Sequence, residues 1–251
     1  MKQVIDHNER IRVIGDVHGH YEPFKEMVDE AISEGRKVVS LGDLEDRGPH
    51  SAKCVELMFD LIDNDQGYLA MSNHAWKHYR YHLGNPVKLH AEHLKTKEDF
   101  ENHGIVERYV QQMGNAPYFI TYGQYFFAHA SYHPLAHVDE LSKKKEKVLK
   151  ERLIYGPNTG ETDPDTGFPI RSLDWIDRIP DDLIVMVGHH VLSTTEILKM
   201  QNKGGAAYYV DLGSGKENGV LAYVDIDAGT ITKTSHPISE VQDIGKYGAY
   251  N

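Results

Sequence analysis

The chain has 251 residues, enough for one large domain or two small ones and for a core that needs no disulfide staples. Lys and Arg number 27 against 38 Asp and Glu, and the formal charge of −11 opposes binding to extended duplex nucleic acid unless cations are focused locally. One cysteine, Cys54, excludes an internal disulfide and fits a reducing cytoplasm, and no apolar run approaches the roughly 20 residues of a membrane span. Met1 to His7 lacks the apolar stretch of a signal peptide, so a cytoplasmic protein without a membrane partner is expected. The 16 histidines stand out, because imidazole suits metal ligation and proton transfer near neutral pH.

In chain order, Ile11 to Ile14 is a short β-branched run that ends at Gly15. Phe24, Met27, Val28, Ala31 and Ile32 then recur at helical spacing, and Gly35 stops that helix. Val38 to Leu41 predicts a second strand, Cys54 to Ile62 a second amphipathic helix, and Tyr68 to Met71 a third strand. This alternation predicts an α/β fold with right-handed crossovers. From about residue 77 to 115 the chain is polar and rich in His and Lys, which predicts a helical insertion near the mouth of a site. Tyr118 to Ala128 returns to β character around a hairpin turn at Gly123-Gln124. Ser142 to Arg152 predicts a Lys/Glu-rich helix with a solvated face, and residues 158 to 167 a loop. The last third offers short strands at Leu183–Val187, Ala207–Val210, Val220–Val224 and Thr230–Thr232. Neither an internal repeat nor a Pro/Gly/Ser linker divides the chain, so a single domain over residues 1–251 is expected.

Five strand-like runs share one ending. Asp16 and His18 follow the first, Asp43 the second, Asn73 and His74 the third, His129 the run ending at Ala128, and His189 the run ending at Val187. In α/β sheets, ligands gather beyond the carboxyl ends of strands. Any one of these residues alone reads as a strand-end cap or a surface side chain. Together, His74 aside, they read as one site of two Asp, one Asn and three His ligands. That donor set suits divalent first-row metals, and without a nearby thiolate it does not suit a structural zinc. Six ligands would saturate one metal. Two metals sharing an Asp keep open positions for water and substrate, as phosphoryl chemistry requires.

These residues resemble the calcineurin-like metallophosphoesterases, especially their phosphoprotein-phosphatase branch. The resemblance rests on Gly15-Asp16-Val17-His18-Gly19, on Gly42-Asp43-Leu44-Glu45-Asp46-Arg47-Gly48, on Ser72-Asn73-His74-Ala75, and on His129 and Gly188-His189 in that order. It covers most of the chain. Ser72 replaces a Gly and Ala75 an acid of the branch pattern. A narrower resemblance, to the phosphatase domain of bacterial polynucleotide kinase–phosphatase, lies in Tyr155 to Asp163, in Gly167-Phe168-Pro169-Ile170-Arg171 and in Val210 to Gly215. No P-loop is present, so kinase activity is not expected.

The resemblance implies a four-layer sandwich, with two mixed β-sheets flanked by helices. It implies two divalent metal ions, Mn2+ first with Ni2+, Fe2+ or Zn2+ as alternatives. Asp16, His18 and Asp43 would hold one, and Asp43, Asn73, His129 and His189 the other, with Asp43 bridging. A metal-activated hydroxide would attack the phosphorus. Arg47 would grip phosphate oxygens, His74 would protonate the leaving oxygen, and Asp46 would hold His74 protonated. Asn73, Arg171 and Asp211 are further candidates for substrate contact or support. The expected activity is phosphomonoester hydrolysis, with phosphodiesters and 2′,3′-cyclic phosphates as extensions, on a nucleotide, a nucleic acid end or a phosphoprotein. The alternatives are a dinucleoside polyphosphate hydrolase, a protein Ser/Thr phosphatase, or a weakly catalytic phosphate-binding relic. Of the twelve other histidines, eleven, His78 and His93 among them, read as surface or core residues.

Overall fold

A computed structural model of the chain describes residues 2–165, 167, 169–241 and 244. In chain order its strands are β1 (Lys2–Val4), β2 (Arg10–Ile14), β3 (Lys37–Ser40), β4 (Gly67–Leu69), β5 (Phe119–Tyr122), β6 (Tyr125–Ala128), β7 (Asn158–Thr162), β8 (Pro169–Arg171), β9 (Ile184–Val187), β10 (Ile197–Gln201), β11 (Ala206–Tyr209), β12 (Tyr223–Asp227), β13 (Thr230–Thr234) and β14 (Ile238–Val241). Its α-helices are α1 (Tyr21–Ser33), α2 (Ser51–Asp63), α3 (Asn73–His82), α4 (Ala91–His103), α5 (Val106–Asn115) and α6 (Lys143–Tyr155). No helix among the described residues is long and apolar enough to cross a membrane.

Two mixed sheets form the centre. One runs β13-β12-β2-β3-β4 and the other β1-β5-β6-β9-β11-β10-β14. Strands β2, β3 and β4 are mutually parallel, and so are β6, β9 and β11. Each sheet therefore presents three carboxyl ends along one edge. The β-branched runs are continuous because both faces of these strands are covered. Ile11, Val13 and Val39 face the inter-sheet core with Phe127, Met186 and Val224. Ile14 and Val38 face the opposite way, toward Phe24, Val55 and Phe59 of α1 and α2. On the far side, Phe126, Val185 and Val187 pack on Leu149 and Leu153 of α6 and on Trp175. The result is helix, sheet, sheet, helix, as expected.

Several elements differ from the sequence reading. Residues 158–162 pair with β8 in a two-stranded hairpin where a loop was expected. Asn158 to Thr162 is exposed throughout, so it carries no apolar alternation to announce it. The strand expected at Val220 begins at Tyr223, and Val220 instead bridges to Leu212 and Gly213. Phe168 of the narrower motif lies outside the described residues. The helical insertion is present as α4 and α5, but it is not a separable cap. Phe100 and Tyr109 are fully buried in the same core as α1 and α2.

Arg12, embedded in the first strand run, is fully buried. Its guanidinium donates to both carboxylate oxygens of Asp225 at 2.7 and 2.8 Å and to Glu30 at 2.7 Å, and lies 3.8 Å from the Tyr223 ring centroid. The strand accommodates a charge there because β12 brings its partner to the same sheet face.

Candidate active site

The six strand ends meet at one edge where the two sheets touch. A Cβ on Gly15, at the end of β2, would lie 2.4 Å from the carbonyl oxygen of Val210, at the end of β11. This close approach places Asp16 and His18 of one sheet beside His189 and Asp211 of the other. Gly188 serves the same purpose: a Cβ there would lie 2.1 Å from Asp16 Oδ1. The following His189 N–H donates to both Asp16 carboxylate oxygens at 3.1 and 3.2 Å.

The backbone is bent sharply here. Eight non-glycine described residues have positive φ, and His18, Asp43, Asp46, Arg47 and His189 are five of them. Such conformations each cost of order 1–3 kcal/mol and persist only where surroundings over-determine them. Here the buried carboxylates and imidazoles supply that constraint.

Asp43 lies at the centre. Its Oδ2 is 3.7 Å from His18 Nε2 and 3.4 Å from His129 Nε2. His18 Nε2 is also 3.8 Å from Asp16 Oδ2. His129 Nε2 lies 2.6 Å from Asn73 Oδ1 and 3.1 Å from His189 Nδ1. The outer ring nitrogens are committed elsewhere: His18 Nδ1 donates to the Glu45 carbonyl at 2.9 Å, and His129 Nδ1 to the Leu41 carbonyl at 3.0 Å. With Nδ1 so engaged, each ring turns Nε2 inward. Anchoring of the outer N–H by a backbone carbonyl is the arrangement typical of metal-ligating histidine.

Lone pairs thus converge on carboxylates, an amide oxygen and one another, which demands a cation. The electrostatics agree. Burial pushes His18 down to about 3, although Asp43 opposes it. Burial and His129 push His189 well below the ordinary histidine value. Burial and the charges of Asp211 and Asp43 push Asp16 well above the usual carboxylate range. Burial also raises Asp43, yet the surrounding His129, His74 and His18 more than offset it and hold Asp43 well below that range. The ligand atoms of Asp43, His129 and His189 lie within 4.8 Å of one another, as do those of His18, Asp43 and His74. Asp43 belongs to both groups. The residues fit divalent metals of the N/O-preferring kind.

His74 stands beside this cluster at the start of α3. Ser72 caps that helix, its Oγ accepting the Ala75 N–H at 3.3 Å, so the departure from Gly at position 72 has a structural use. His74 Nδ1 donates to Asp46 Oδ2 at 2.5 Å, and its Nε2 lies 3.9 Å from Asp43 Oδ2. Burial lowers the His74 pKa, but Asp43 and Asp46 outweigh it and raise it to about 9. Asp46 is itself held well below the carboxylate range; burial opposes this, and hydrogen bonds from His74 and His78 overcome it.

The sequence reading assigned His78 and His93 no role, and the structure places both against Asp46. His78 Nε2 donates to Asp46 Oδ1 at 2.8 Å. His93 stacks on His74 with centroids 5.7 Å apart, its Nε2 3.7 Å from Asp46 Oδ2. A signal for His78 was present, since it follows His74 by one helical turn. None existed for His93, which a different helix supplies. Glu45 is also buried, with Tyr109 Oη donating to its Oε1 at 2.5 Å and lying 3.1 Å from the Ala75 carbonyl oxygen. An acid therefore sits close to the backbone of position 75 although Ala75 lacks one.

The remaining candidates divide. Arg47 is exposed, and Gly215 clears its path, since a Cβ there would lie 2.5 Å from Arg47 Cδ and 2.7 Å from His18 Cδ2. Asp211 is buried, accepts from the Gly213 N–H at 2.8 Å and titrates together with Asp16, raised chiefly by burial. Its position supports Asp16 more than it faces substrate. Arg171 on β8 donates to the Tyr155 carbonyl, and its charge is felt at His189.

A metal-fitted cluster at the meeting edge of two mixed sheets, flanked by an Asp-held imidazole, defines a metallophosphoesterase. The calcineurin-like phosphoesterase family model matches residues 9–211, and the chain belongs to that family. It is similar to the asymmetrical bis(5′-nucleosyl)-tetraphosphatase PrpE of Geobacillus sp. (strain WCH70), 30% identical with 75% of this chain and 82% of that one covered. It is also similar to PrpE of Geobacillus thermodenitrificans, 32% identical over 71% of this chain and 78% of that one. Among solved structures, a protein assigned as a diadenosine tetraphosphatase matches with TM-score 0.61 and 18% identity over 94% of this chain and 97% of its own. A Saccharomyces cerevisiae protein serine/threonine phosphatase with similarity to human phosphatase PP5 matches with TM-score 0.58 and 15% identity over 96% and 85%. The chain is therefore a hydrolase of the divalent-metal phosphoesterase type.

Proposed function

We propose that the chain hydrolyses phosphomonoesters, with His74 as general acid toward the leaving oxygen. The observation that carries this reading is the His74–Asp46 pair at 2.5 Å, placed one residue beyond Asn73 and facing Asp43. Asp16, His18 and Asp43 would hold one metal and Asp43, Asn73, His129 and His189 the other. Bound there, two divalent ions supply positive charge for the phosphoryl oxygens and lower the pKa of the attacking water. Asp46 fixes the tautomer of His74 so that Nε2 carries the mobile proton. Arg47, exposed beside the cluster, offers a planar fork for phosphate oxygens. Asp211 keeps Asp16 in place.

A second reading, hydrolysis of dinucleoside polyphosphates, is supported by the relatives named as asymmetrical tetraphosphatases over more than two thirds of both chains. It uses the same residues but demands less of His74, because a nucleotide leaving group departs with little need of a proton. The test is a substrate panel on metal-stripped protein reconstituted with manganese, nickel, zinc or magnesium. An aryl phosphate, a ribose phosphate, a 2′,3′-cyclic nucleotide, a phosphopeptide and a dinucleoside tetraphosphate are compared by kcat/KM. Preference for the ribose phosphate supports the first reading, and preference for the tetraphosphate supports the second. Tight binding of phosphate esters without turnover of any of them sinks both.

A further inference from the structure

Between α3 and α6 lies a cleft of about 470 Å³, lined by Trp76, Arg80, Lys147, Lys150, Glu151 and Tyr155. Its composition is unusual for a chain with a net charge of −11. Arg80 and Lys150 form no ion pair with a carboxylate among the described residues. Lys150 instead sits over the Trp76 ring, 2.8 Å from its centroid, and 5.2 Å from that of Tyr118. Arg80 and Lys150 repel, Glu146 and Glu151 offset that and the burial of Lys150 only in part, and an anion in the cleft would relieve the remainder. Burial and the charge of Arg80 accordingly depress the Lys150 ammonium to about 8.

The cleft also carries an aromatic platform. Tyr155 is 37% exposed, and its ring stacks on no other ring among the described residues. Tyr155 ends α6 and lines the cleft together with Arg80 and Lys150. Arg171, whose charge reaches His189, donates to the Tyr155 carbonyl. On α3, Asn73, Trp76 and Arg80 follow at i, i+3 and i+7, one face of the helix. At 1.5 Å rise per residue that face runs roughly 10 Å away from the catalytic ligand Asn73. Arg80 on that face, with Lys150 of α6 over Trp76, is too remote to hold the scissile phosphate and suitably placed to hold its neighbours.

We propose that the α3–α6 cleft is the nucleotide subsite of the hydrolytic centre, receiving the nucleoside and flanking phosphates of a nucleoside polyphosphate. Tyr155 stacks the base, and Lys150 and Arg80 bind the phosphates beyond the reacting one. This rests on the second hydrolase reading above and deepens it by assigning the residues that hold the nucleotide. A phosphopeptide suits the cleft poorly. Clustered cations also hold phosphopeptides, but a phosphopeptide brings neither adjacent phosphates to span Arg80 and Lys150 nor a base for Tyr155 to stack.

The test combines binding and kinetics on the full chain. A methylene-bridged ATP analogue, tripolyphosphate, adenosine and a phosphopeptide are titrated calorimetrically against the parent and against Arg80→Ala, Lys150→Ala, Lys150→Arg and Tyr155→Ala. The analogue is expected to bind about tenfold more tightly than tripolyphosphate, a margin set by base stacking. Arg80→Ala and Lys150→Ala should each weaken the analogue about tenfold, the worth of a charge-assisted hydrogen bond. Lys150→Arg should restore binding, and Tyr155→Ala should erase the margin over tripolyphosphate. In turnover, the ratio of kcat/KM for a nucleoside polyphosphate to that for an aryl phosphate should fall in the two alanine variants. Parent-like affinity for the analogue in folded variants, or loss of phosphopeptide binding alone, overturns the subsite. If nucleotide binding responds as expected while the metal-loaded protein hydrolyses no ester, the subsite stands and the hydrolase reading falls. Aryl phosphate turnover with nucleotide affinity unmoved gives the converse.

Discussion

Asp46→Asn tests His74 as the proposed leaving-group acid. The substitution keeps the size of the side chain but removes the carboxylate that accepts from His74 at 2.5 Å and from His78 at 2.8 Å. In the metal-free chain His74 sits at about 9 because Asp43 and Asp46 outweigh its burial. Without Asp46 the burial penalty regains weight, and the value falls toward or below the ordinary 6.5. At about pH 7.5 that change lowers the protonated fraction roughly tenfold. Loss of the fixed tautomer adds to it, within the roughly 10²–10⁴-fold that general-acid assistance supplies. The loss belongs only to substrates whose leaving oxygen needs a proton. The assay therefore compares kcat/KM for a ribose phosphate and for an activated aryl phosphate on metal-loaded parent and variant. Imidazole NMR titration of the metal-free forms runs alongside. Equal losses on both substrates with both metals retained, or a His74 titration that does not move, would refute the reasoning.

Asp43→Ala should abolish turnover and lower the metal content found by elemental analysis, since Asp43 belongs to both ligand groups. Full activity after prolonged dialysis against excess chelator would exclude metal dependence. Arg12→Met should destabilise the fold by about 3–5 kcal/mol, because Asp225 is left buried with only a 3.5 Å contact to Arg36. That corresponds to roughly 6–20 °C in Tm by calorimetry, and a loss below about 1 kcal/mol would show that the pair is dispensable. In excess chelator, stability should fall as pH drops from about 7, because the unfolded chain protonates His18 near 6.5 while the folded chain keeps it neutral down to about 3. His18→Gln should flatten that slope, and an unchanged slope would count against the assignment. His74 acts in the opposite sense, its stabilisation being complete below about 6.5 and lost as pH rises through about 9.

The sequence by itself determined the alternation of strand and helix, because β-branched runs covered on both faces and amphipathic helices differ in period. It also singled out Asp16, His18, Asp43, Asn73, His129 and His189, because each follows a strand end, where the fold turns polar groups toward a shared edge. Tertiary structure decided what periodicity cannot encode. Exposed Asn158 to Thr162 became a strand only by pairing with β8. Arg12 interrupts an apolar run, and only β12, some two hundred residues on, supplies Asp225 to neutralise it. His93 reached Asp46 because α4 packs across α2, a contact between helices that no local pattern announces. Lys150 likewise reads as one more charge on a solvated helix until Trp76 of α3 is brought beneath its ammonium. Local spacing reports which face of an element is apolar. Which charges are desolvated, and which partners neutralise them, depends on long-range packing, and that packing sets the chemistry of the site.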